Sequence, residues 1–169
     1  MMISVELRQA FEAVRSAAKL EREWSMMNSF PEGISRAPGL DAPTEYLDLL
    51  TFVDGPILGQ VVVYRCKVVE SMQVYAEEDE GAPVRLGVEK WFCFGKANED
   101  PLFINRRDGT VWGFPDRGIV WQDSEVFGQF AGSLGEFLET YALGSKYLTL
   151  PGVDEDDQWW RLLKHVGRV

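Results

Sequence analysis

The chain has one histidine, two cysteines and no long uninterrupted apolar run. Each shortage removes a class of chemistry. With His165 alone, a zinc site would have to rest on carboxylates and two distant thiols. Any Ser-His-Asp or Cys-His pair would have to use that same imidazole. His165 stands in RLLKHVGRV, where a cation suits the negative end of a helix. Cys66 and Cys93 each lie in a β-like apolar stretch. Their spacing is no metal or redox motif, and they read as buried free thiols of a reducing compartment. No segment reaches the ~18 apolar residues of a membrane span. Glu6 and Glu12 interrupt the N-terminal apolar pattern, which the core of a signal peptide does not tolerate. The expected location is cytoplasmic, with no membrane partner.

Positive charge is also scarce. Lys and Arg number 17 against 27 Asp and Glu, for a net charge of −10. Residues 1–40 balance at five of each sign, so residues 41–169 carry the whole excess, 12 basic against 22 acidic. Such a surface does not wrap phosphate backbones, because that binding needs Lys and Arg to displace counterions. Arg106 and Arg107 stand almost alone and are flanked by Asp108, so single-stranded nucleic acid is not expected either. An acidic body keeps a protein soluble, and it suits a basic partner steered by long-range attraction.

What is present is enough for one domain. A chain of 169 residues, 46% of them hydrophobic, can bury roughly 70% of its unfolded surface. There is no internal repeat and no low-complexity segment. Leu7, Phe11, Val14 and Ala18 predict an amphipathic helix over residues 4–24, with Ser4 as its N-cap. NSFPEGISRAPGLDAP is a Pro- and Gly-rich loop. APTEYLDLLTFVDG reads as a second helix, with Pro43 at its start and Gly55 placed to stop it. QVVVYR is the first strand, and the spacing of Val68, Val69, Met72, Tyr75 and Ala76 predicts a helix that frays into the acidic run Glu77–Glu80.

Residues 91–114, WFCFGKANEDPLFINRRDGTVWGF, concentrate aromatics between turn signals. KWFCFG, LFIN and TVWGF read as strands, KANEDP as a connector and RRDGT as a hairpin turn, with IVWQD as a further strand. The spacing predicts an antiparallel meander whose aromatics are mostly core, with Trp112 or Trp121 left at a rim for protein contact. Ser133 and Glu136 form a capping box ahead of Leu134, Phe137, Leu138 and Tyr141. DEDDQWWRLLKHVG opens acidic and closes basic, as a last helix should, with Trp159, Leu162, Leu163 and Val166 on its apolar face.

Little here reads as catalysis. Glu99 with Asp100, and Asp123 with Glu125, are carboxylate pairs in loops, but acid–base work needs one of a pair raised in a dry pocket. Asp154–Asp157 lacks the alternating ligands and glycine of a calcium loop, and Gly95 has no phosphate-loop companions. No cofactor and no metal are expected. An enzyme relying on carboxylates or Cys93 stays as a minor alternative.

The ordered set of Pro43, Tyr46, Gly55, Gly95, Gly109, Val111, Trp112, Ser133, Glu136, Phe137 and Leu138 resembles the SUKH superfamily over roughly residues 28–142. The connector KANEDP departs from that pattern, and residues 145–169 form a helical extension beyond it. The resemblance implies an α+β fold, an antiparallel-rich sheet of about four to six strands covered by N- and C-terminal helices, and no catalytic residues. It implies an immunity protein that binds and neutralises a cognate toxin, often a nuclease, or a scaffolding and regulatory partner in a larger assembly. The residues expected at a partner are Glu77, Glu78, Asp79, Glu80, Glu99, Asp100, Trp112 and Trp121. Monomer and homodimer both remain open.

Overall fold

A computed structural model describes residues 3–35 and 39–169. The fold is α+β, built on one six-stranded antiparallel sheet whose spatial order follows the chain: β1 (Ile57–Leu58), β2 (Val61–Val63), β3 (Trp91–Ala97), β4 (Asp100–Asn105), β5 (Val111–Gly113) and β6 (Gly128–Ala131). Consecutive strands are neighbours throughout, although residues 64–90 separate β2 from β3 and residues 114–127 separate β5 from β6. The helices are α1 (Val5–Ala17), α2 (Arg22–Met27), α3 (Thr44–Phe52), α4 (Cys66–Val69), α5 (Leu134–Phe137) and α6 (Gln158–His165).

Strand alternation divides the aromatics between two faces. Phe92 and Phe94 lie under the helices, against Tyr46 of α3 at 5.1 Å and Phe137 of α5 at 5.9 Å between ring centroids. Phe11 of α1 meets Phe52 of α3 at 5.7 Å. Trp91, Phe103, Trp112 and Phe114 belong to the other face, gathered around Phe127, which is 4.9 Å from Trp91. Among the described residues, no helix bundle covers this second face. It is roofed by the loop of residues 115–127 and flanked by a 3-10 run, Ser71–Ala76.

Several expected elements are corrected. The first helix stops at Ala17, and a turn separates it from α2. The stretch after Cys66 is one α turn followed by the 3-10 run, not a continuous helix. Its Gln73 side chain explains the change, donating to the Cys93 carbonyl (2.8 Å) and accepting from the Cys93 N–H (2.9 Å). The amide continues the ladder where β2 has ended. KANEDP is not an open connector: β3 and β4 run into it and leave only Asn98 and Glu99 as the turn. Asn98 takes φ 55°, a conformation Asn tolerates better than most residues. IVWQD is not a strand. Residues 121–123 form a 3-10 turn, and the strand expected there is supplied by Gly128–Ala131.

The C-terminal extension is built into the core. Trp159 is fully buried, and its indole N–H donates to the Ala142 carbonyl at 2.7 Å. Asn28 and Gln158 pair through both amides (2.8 and 3.2 Å), and Asn28 also accepts from the Gly59 N–H (2.8 Å). Gly59 takes φ 66° in the β1–β2 turn, and a Cβ there would stand 2.3 Å from the Tyr147 hydroxyl. That hydroxyl accepts from the Gln60 N–H (2.9 Å) and donates to Asp157 (3.0 Å), the N-cap of α6.

Candidate functional site

Three clefts open beside one aromatic pair on the loop-covered side of the sheet. Tyr75 and Trp121 meet edge to face at 6.1 Å. The first cleft, about 490 Å³, is lined by both rings, by Val74, Val84 and Leu86, and by the acidic run Glu77–Glu80. The second, about 260 Å³, holds Tyr64, Met72, Tyr75, Lys96, Glu99 and Pro101. The third, about 400 Å³, brings Glu99, Asp100 and Asp116 beside Ile119, Val120 and Trp121. Tyr75, Trp121 and Glu99 each line two of the three, so the acidic tracts, distant in sequence, share one face.

Local structure explains how each group is held. Tyr75 and the start of the acidic run follow from the 3-10 stretch that Gln73 clamps to β3. Asp79 closes the next turn by accepting from the Gly81 N–H at 2.9 Å. Trp121 is carried by a loop that is pinned twice. Arg117 donates to the Leu148 and Leu150 carbonyls (2.9 and 2.8 Å). Buried Ser124 donates to Asp116 (2.9 Å) and accepts from the Val126 N–H (3.1 Å). The inner side of Trp121 rests on Phe114, 5.6 Å between ring centroids. Glu99 is thrust out by the tight β3–β4 turn, and Asp100 begins β4 next to it.

Trp112 does not join these clefts. It packs on Trp91 and Phe127 at 5.5 and 5.4 Å and donates its indole N–H to Thr110 (2.8 Å). Of the two tryptophans expected at a partner, Trp121 lines the clefts and Trp112 supports the aromatic layer beneath. Tyr75, which sequence reasoning placed in the core stripe of a helix, is exposed on the face instead.

The face is electrostatically uneven. Glu78 pairs with Arg85 at 3.1 Å and Glu99 with Lys96 at 3.7 Å. Among the described residues, Glu77, Asp79, Glu80 and Asp100 form no ion pair. Partial burial and the neighbouring Glu99 hold the Asp100 carboxyl above its ordinary range. A carboxyl raised in the folded state is penalised when ionised, and acidification relieves the penalty. Asp100→Asn is therefore expected to raise the melting temperature at neutral pH. The gain should shrink as pH falls through the raised carboxyl range. Melting curves of both proteins over that range check this, and a gain that grows on acidification would contradict it.

The remaining chemistry-bearing groups lie elsewhere. Cys93 is fully buried within β3, and burial pushes its thiol up to about 12, which leaves no thiolate to act as a nucleophile at neutral pH. Asp123 and Glu125 are both exposed. His165 ends α6 with its ring against Trp24, 5.5 Å away. No helix among the described residues is long and apolar enough to cross a membrane. No protein-family model matches the chain, and no curated protein matches it.

Proposed function

We propose that this protein is a non-catalytic binding module of the SUKH kind, an immunity protein that neutralises a basic toxin domain by occlusion. One observation carries the reading: two acidic tracts converge on one loop-covered face with an aromatic pair, exposed Tyr75 and half-buried Trp121. Aromatic residues anchor protein interfaces, and surrounding charges set the encounter rate. A nuclease active site is basic because its substrate is anionic. An acidic face that fits such a site would block it without chemistry.

The test is titration of the protein with the product of an adjacent toxin-like gene, at two salt concentrations. A one-to-one complex that silences the partner and weakens with salt is the expected outcome. Reversing Glu77–Glu80 to Lys should slow association about tenfold or more and flatten its salt dependence. Unchanged kinetics would remove that tract from the interface. Recovery of a housekeeping assembly in place of a toxin would favour the scaffolding role.

A further inference from the structure

The largest of the three clefts beside Tyr75 and Trp121 combines two surfaces that seldom serve the same ligand. Its walls are apolar and aromatic, formed by Val74, Tyr75, Val84, Leu86 and Trp121, and its rim is the run Glu77–Glu80. We infer that this cleft takes an arginine side chain, presented by a basic segment of the partner. The inference rests on the protein-binding reading above and narrows it to one kind of side chain.

A purely apolar ligand would strip water from carboxylates without pairing them. An anion would be repelled by them. Among the described residues no group of side chains is arranged to hold a metal ion. A lysine ammonium is a compact, strongly hydrated charge that carboxylates alone satisfy, so the aromatic walls would add little. A guanidinium is planar and weakly hydrated. It stacks its face on an aromatic ring while its edge donates to carboxylates. The cleft offers both at once.

The chain itself gives a precedent. Arg85, between the lining residues Val84 and Leu86, already sets its guanidinium on Glu78 at 3.1 Å. Both side chains are about half exposed, so the pair is weak and an incoming arginine can displace it. Glu77, Asp79 and Glu80 remain to meet that arginine.

The experiment uses the full-length protein, isotope-labelled, with a blocked Leu-Arg-Leu peptide and its lysine twin as probes. The arginine peptide should shift the Trp121 indole resonance and the backbone resonances of residues 74–86 in a saturable way. The lysine twin should bind about three- to fivefold more weakly. Neutralising the rim with Glu77→Gln, Asp79→Asn and Glu80→Gln should weaken both peptides, and Arg85→Ala should tighten them. These exposed side chains can change without disturbing the core. An unmoved Trp121 resonance, or equal affinity for the two peptides, would overturn the inference. If that happens while the toxin complex persists, the partner binds by other contacts and the immunity reading stands. If the arginine preference holds but no protein partner is silenced, the immunity reading falls and the arginine site remains.

Discussion

Trp159→Ala is expected to lower the melting temperature by roughly 6–20 °C, which corresponds to about 3–5 kcal/mol for a chain of this size. The indole is fully buried, lies beside Phe30 at 6.2 Å, and touches the space that only a glycine at position 59 leaves open. Its removal creates a cavity where α6 meets the β1–β2 turn. It also strips the Ala142 carbonyl of its indole donor, and an unpaired buried acceptor adds to the loss. Native stability is itself only about 5–15 kcal/mol, so a large share is at stake. Thermal unfolding followed by near-ultraviolet circular dichroism measures it. A shift within a degree or two would mean that the C-terminal segment is an appendage, contrary to its packing.

Trp121 and Trp112 should show opposite profiles. Trp121→Ala is expected to weaken the partner complex by at least about 2 kcal/mol, roughly 30-fold, with a smaller effect on stability. Its half-buried side chain lines two of the acidic clefts and meets Tyr75 edge to face, while Arg117 and Ser124 hold its loop through contacts that do not involve the ring. Trp112→Ala should do the reverse. It removes packing against Trp91 and Phe127 and the hydrogen bond to Thr110, a loss of about 3 kcal/mol in stability, yet it lines none of the three clefts. Paired calorimetry and thermal melts on both variants separate the roles. If Trp112→Ala weakens the complex as strongly as Trp121→Ala in folded protein, the interface extends along the aromatic layer, beyond the clefts.

The α+β class, the antiparallel meander and the N-terminal caps of α1 and α5 were legible in the sequence. Those features depend on local periodicity and on side chains that act within a few residues of themselves. Ser4 accepts from the Leu7 N–H and Ser133 from the Glu136 N–H, as expected. Gly109 takes φ 77° in its hairpin and Gly167 takes φ 73° after α6. Two strands, β1 and β6, were not legible. β1 is two residues long, and β6 carries only Phe130 as a large apolar side chain. Such pieces are strands only because a partner strand lies beside them.

The remaining features depend on contacts distant along the chain. Gln73 turns a helical pattern into a 3-10 run by reaching the edge of β3, a contact twenty residues away. A loop read as a strand became the roof of the second face, because Arg117 ties it to carbonyls more than thirty residues downstream. The candidate site shows the same division. Composition made the acidic tracts and tryptophans visible as residue types. Their convergence around Tyr75 and Trp121 was not visible, because it depends on how three separate loops pack over one sheet, and no local pattern encodes that proximity.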